Sequence, residues 1–73
     1  MVNTELLKQI ISDRGLKIVY VAKYLGMTDA SFRNKIENRT SFKLGEVSAL
    51  CQLLRIDDLA LKDSIFFANL VEK

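Results

Sequence analysis

Residues 16–39 read LKIVYVAKYLGMTDASFRNKIENR, and this stretch decides the fold. Ile18, Val21, Ala22 and Leu25 recur at i, i+3, i+4 and i+7, the spacing of a buried helical stripe. Leu25-Gly26-Met27-Thr28 then supplies a tight turn, in which Gly26 ends one helix and Thr28 caps the next. In that next helix Phe32 and Ile36 mark an apolar side, while Ala30, Ser31, Arg33 and Asn34 form a polar one. Two short helices joined in this way read as a helix-turn-helix whose second helix keeps one face free.

The flanking segments continue the helical pattern. Leu6, Leu7, Ile10 and Ile11 predict a first helix over residues 4–14, capped by Asn3 or Thr4 and stopped by Gly15. The second helix is expected over residues 17–25 and the third over 29–37, with Asn38 tolerating a left-handed stop. Phe42 reads as a core plug. Val47, Leu50, Cys51 and Leu54 predict a fourth helix from residue 43 or 44 to residue 55. Asp57 is expected to cap a short fifth helix ending near Lys62 or Ser64. The fold class is therefore all-α: a compact five-helix domain over residues 1–64, followed by an apolar tail over residues 65–73.

That tail concentrates Ile65, Phe66, Phe67, Leu70 and Val71 in seven positions. Either Ile65 and Phe66 fold back as a core plug, or the tail is a dimer contact built from Phe66, Phe67, Leu70 and Val71. Burying two Phe side chains of ~150–200 Å² each would contribute on the order of 8 kcal/mol before entropic losses, enough to decide dimerisation.

Composition narrows the function. Seventy-three residues make one domain, and a chain of this length buries only roughly 60% of its unfolded surface. A single cysteine and no histidine exclude disulfide bracing and leave no zinc-ligand set. The same absence removes a base that works near neutral pH. Cys51 falls on the apolar stripe of the fourth helix and reads as a core thiol. Glycines 15, 26 and 45 are too dispersed to cradle a phosphate, and Asp57-Asp58 suit a helix start better than acid–base work. An enzyme is not expected, nor any cofactor, metal or small-molecule ligand. No run approaches the ~18 apolar residues of a membrane span, and MVNTELLKQII lacks the basic leader of a signal peptide. The expected location is cytoplasmic.

The net charge of +2 hides an asymmetry. Residues 14–43 hold seven basic and two acidic side chains, a net +5, while the remainder carries −3. Positive charge thus gathers around the helix-turn-helix, as phosphate binding requires. On a helical wheel with Phe32 at zero, Ala30 and Asn34 fall at ~160° and ~200°, away from the core, with Arg33 and Asp29 at the edge near ~100° and ~60°. Arg pairs with guanine O6 and N7, Asn with adenine N6 and N7, and Ala touches a thymine methyl. Asp29, Ala30, Arg33 and Asn34 are therefore the candidate base contacts, although helix-start electrostatics also account for Asp29. Candidate phosphate contacts are Lys17, Thr28, Ser31, Asn38, Arg39, Thr40, Ser41 and Lys43. Lys35 lies off this face, near ~300°, and is expected to pair with Glu46 or to extend over an apolar surface.

Val21-Ala22-x-x-Leu25-Gly26-Met27-Thr28, Phe32, Lys35-Ile36-Glu37-Asn38, Phe42 and Glu46-Val47-x-x-Leu50-Cys51-x-x-Leu54 resemble the lambda-repressor-like helix-turn-helix family of Cro- and repressor-type regulators. The likeness covers residues 16–56, and the terminal Ile65-Phe66-Phe67 with Val71 looks like short phage or prophage Cro-like proteins of Gram-positive bacteria. The resemblance implies a transcriptional regulator that binds a double-stranded operator, an inverted repeat, as a homodimer. It also implies a repressor that occludes a promoter. Lys17 and Thr28 would then face phosphates, and Asp29, Ala30, Arg33 and Asn34 would face bases. Two other readings stand beside it: an antirepressor-like protein-interaction module with a degenerate helix-turn-helix, and an architectural DNA binder without sequence preference.

Overall fold

The computed structural model describes residues 2–66. The chain is all-α, with five helices: α1 (Thr4–Asp13), α2 (Ile18–Tyr24), α3 (Asp29–Ile36), α4 (Leu44–Leu54) and α5 (Leu59–Phe66). Among the described residues there is no strand.

A side-chain oxygen accepts a backbone N–H at the start of α1, α3, α4 and α5, whereas α2 has no side-chain cap. The Asn3 side chain accepts from Leu6 N–H at 3.1 Å, and Thr28 Oγ1 accepts from Ser31 N–H at 3.1 Å. At α4, the Glu46 carboxylate reaches back to accept from Lys43 N–H at 3.0 Å. The cap of α5 is Asp58, whose Oδ1 accepts from Ala60 N–H at 2.9 Å; the expected cap, Asp57, lies one residue too early.

The ends of α1, α2, α3 and α4 share one device. Leu16, Met27, Arg39 and Ile56 each donate a backbone hydrogen bond to the carbonyl five residues before: Ile11, Ala22, Asn34 and Cys51. In every case the residue just before the donor is left-handed: Gly15 (φ 74), Gly26 (φ 75), Asn38 (φ 65) and Arg55 (φ 59). This is the Schellman closure, which needs a positive φ at its pivot. Glycine and asparagine adopt that conformation readily, whereas Arg55 does so against the steric cost of its Cβ.

The core draws on every helix. Leu7, Ile10 and Ile11 of α1 meet Val21 and Ala22, Phe32 and Ile36, and Val47, Leu50, Cys51 and Leu54 of α4. Ile56, Ile65 and Phe66 complete it. Phe42, in the loop before α4, stands edge-on between Phe32 (centroids 6.1 Å apart) and Phe66 (5.9 Å). Edge-to-face packing of this kind sets the positive ring edge against the negative face.

In the C-terminal region the end of α5 needs correction, and of the two readings of Ile65 and Phe66 the core plug is the one observed. α5 continues past residue 64 to Phe66, so Ile65 and Phe66 belong to the helical domain rather than to a separate tail. Phe66 was a candidate dimer contact, but it is 4% exposed and packed on Phe42, so it has almost no surface to offer a second copy. The other candidates, Phe67, Leu70 and Val71, lie outside the described residues.

Candidate nucleic-acid interface

α2 and α3 pack against each other through Val21, Ala22, Phe32 and Ile36, with the four-residue turn 25–28 between them. Because the apolar residues of α3 point inward, Ala30 and Arg33 are left exposed and Asn34 half-buried. Thr28 marks the start of this surface. Its oxygen accepts the capping bond from Ser31, which leaves the hydroxyl hydrogen able to donate outward. Ser31 is half-buried beside it.

Arg33 and Asn34 are already paired. Arg33 Nε sits 3.3 Å from both carboxylate oxygens of Asp29, one turn earlier. Arg39 Nη1 donates to Asn34 Oδ1 at 3.2 Å and pairs with Glu37 at 2.9 Å. Asn34 also anchors the following loop, its backbone carbonyl accepting from Arg39 N–H (2.9 Å) and Thr40 N–H (3.3 Å). With Oδ1 engaged by Arg39, the end of Asn34 left for a ligand is its NH₂ group. The two-bond pairing with adenine expected for Asn34 would need Oδ1 to be shared with, or released by, Arg39.

The candidate phosphate contacts divide. Lys17, Arg39, Thr40, Ser41 and Lys43 are exposed. Lys17 is the N-terminal flanking residue of α2 and has no side-chain capping bond, so its ammonium is not drawn into the helix start. Lys43 holds the same position at α4, where only its backbone is engaged. Asn38 is turned the other way. Its Oδ1 accepts from Val2 N–H (2.8 Å), and its Nδ2 donates to the Val2 carbonyl (2.9 Å) and lies 3.5 Å from Thr4 Oγ1. Those bonds commit the amide to the N-terminal segment and not to the outer face. Spacing gave no sign of this, because the partner lies 36 residues away.

Lys35 pairs with Glu46 at 2.9 Å, one of the two roles expected for it, and also donates to the Ser41 carbonyl at 3.2 Å. The Lys43 N–H bond and Lys35 together hold the Glu46 carboxyl below its ordinary range, against the opposing effect of burial. Burial pushes the Cys51 thiol up. That shift disfavours the reactive thiolate.

No protein-family model matches the chain, and no curated protein or solved structure does.

Among the described residues, no group of three or more His, Cys, Asp or Glu side chains comes together. No described helix is long and apolar enough to cross a membrane. Sequence reasoning assigns no role to Tyr20 and Tyr24, yet both stand about half exposed on α2. Their signal was available: they fall off the Ile18-Val21-Ala22-Leu25 stripe and so had to point outward.

Proposed function

We propose that this chain is a sequence-specific DNA-binding transcriptional regulator of Cro type, with α2 and α3 serving as its helix-turn-helix. It would repress by occupying a promoter. The observation that carries the reading is the outward face of α3, with Ala30 and Arg33 exposed and Asn34 half-buried, on a helix whose other side is closed by Phe32 and Ile36. A small residue there permits close approach to a groove, and the two polar residues have the hydrogen-bond donors that base edges accept. The surrounding sequence supports it, since residues 14–43 carry the net positive charge of the chain.

In this reading α3 enters the major groove, and Lys17, Thr28, Arg39, Thr40, Ser41 and Lys43 hold the flanking phosphates. Asn38 contributes indirectly, by fixing the loop that carries Arg39 to Ser41. A homodimer on an inverted repeat would place two copies of α3 in successive major grooves, about one helical turn apart.

The test is equilibrium binding to short duplexes over a range of salt. A logarithm of the binding constant that falls linearly with the logarithm of salt, and less steeply for Arg39→Ala, supports phosphate contact by this loop. A chain that binds no duplex even at low salt is not a DNA-binding regulator.

A further inference from the structure

Arg33 does not stand free on α3. Both oxygens of the Asp29 carboxylate lie 3.3 Å from its Nε, and the pair bridges one turn of the outward surface. Side chains four residues apart lie one above the other along a helix, so the spacing brings the two within reach of each other. Both partners are about half exposed, and a wet pair of this kind contributes little to stability. Its geometric effect is larger.

A guanidinium carries five N–H donors in a flat, rigid fork. Asp29 engages the inner one, at Nε. The two NH₂ groups at the tip make no hydrogen bond among the described residues. Those tip groups are the ones that pair with guanine O6 and N7. A fork already held in plane and direction loses less freedom on docking than one sampling many rotamers. The carboxylate also disfavours direct approach by Asp29 to guanine, because the major-groove edge of guanine offers only the acceptors N7 and O6 and an ionised carboxylate has no donor.

We propose that Asp29 is a positioning residue that aims Arg33 at a guanine, and that it is not itself a base contact. This rests on the DNA-binding reading above. Asp29 then determines specificity at the base pair that Arg33 reads, and nowhere else.

The experiment uses the full chain and a bound duplex taken from a random pool, with each base pair of one half-site changed in turn to the other three. Arg33→Ala identifies the guanine by abolishing a preference at a single base pair, expected to be roughly 5- to 150-fold in the wild type. Asp29→Asn is expected to reduce that same preference several-fold while leaving preferences elsewhere intact. Asp29→Glu, which restores the charge, should recover part of it. In the double variant, Asp29→Asn should have no effect beyond that of Arg33→Ala. Thermal unfolding by circular dichroism provides the structural control. A role confined to helix stability would instead lower affinity for every duplex equally, and that result overturns the proposal. So does an unchanged guanine preference in Asp29→Asn, or a changed preference at a different base pair; either leaves the DNA-binding reading standing. If no duplex is retained by the wild type, the DNA-binding reading fails and this role falls with it.

Discussion

The side-chain amide of Asn38 pairs with the backbone of Val2 in both directions, accepting from its N–H at 2.8 Å and donating to its carbonyl at 2.9 Å. The same residue has φ 65 and closes the end of α3. Thr4 adds a third bond nearby, its hydroxyl donating to the Ile36 carbonyl at 2.6 Å. One asparagine thus ends the outward-facing helix and clasps the chain's first residues to it. Asn3 N–H extends the clasp to α5 by donating to the Ile65 carbonyl at 2.6 Å.

Two substitutions separate the roles of Asn38. Asn38→Gly keeps the left-handed turn but loses the clasp, and should cost ~1–2 kcal/mol. Asn38→Ala loses the clasp and also strains the backbone, adding a further ~1 kcal/mol. Urea unfolding of both variants checks the order. Equal stabilities would mean that the left-handed conformation carries no cost at this position.

Glu46 predicts an acid dependence. Its folded-state pKa lies below the ordinary value, owing first to the Lys43 N–H bond and then to Lys35. Its contribution is therefore complete above the unfolded-state value, roughly pH 4.3, and is lost as the pH falls through the lower folded-state value. Glu46→Gln should be less stable than wild type by ~0.5–1.5 kcal/mol at neutral pH, since an amide oxygen still caps but does not pair with Lys35. The gap should narrow below about pH 4.3. Denaturation curves at pH 7 and pH 3 would show it.

Among the stops of α1 to α4, Arg55 stands where the others have a glycine or asparagine. Placing a side chain at φ 59 costs roughly 1–2 kcal/mol, while glycine loses ~0.5–1 kcal/mol through its freer unfolded chain. Arg55→Gly should stabilise the domain by up to about 1 kcal/mol, raising the unfolding midpoint by ~4–8 °C per kcal/mol. Calorimetry reads this directly. A lower midpoint would show that the Arg55 side chain stabilises the fold by more than its backbone strain costs.

Phe66 distinguishes a core role from a contact between copies. It is buried against Phe42, so Phe66→Ala should lose ~3–5 kcal/mol and much of the helical circular dichroism signal at moderate temperature. Helicity preserved alongside a halved mass in equilibrium sedimentation would instead place Phe66 between two copies.

Much of this architecture was legible in the sequence because it is local. Stripes such as Val47-Leu50-Cys51-Leu54 repeat at the helical period, and Gly15, Gly26 and Asn38 tolerate the backbone that a helix end requires. The exceptions depended on tertiary structure or on competition between neighbours. Arg55 adopts a left-handed conformation without the residue type that announces one. Asp58 caps α5 where the adjacent Asp57 was equally suitable on paper. Phe66 reads equally well as a core plug or a contact between copies in the sequence, and its packing on Phe42, which bridges it to Phe32, decides for the core. In the candidate interface, the wheel identified the outward face of α3 but not the pairing on it. That Asp29 engages Arg33, that Arg39 engages Asn34 and that Asn38 turns inward depend on side-chain reach, which spacing does not specify.

The most direct test of the central claim is selection of bound duplexes from a random pool by the full chain at near-physiological salt. A DNA-binding regulator of this kind should enrich an inverted repeat whose half-sites are separated by about one helical turn, roughly 10 base pairs centre to centre. Retention of no duplex at all would contradict it, and would favour a module that binds protein.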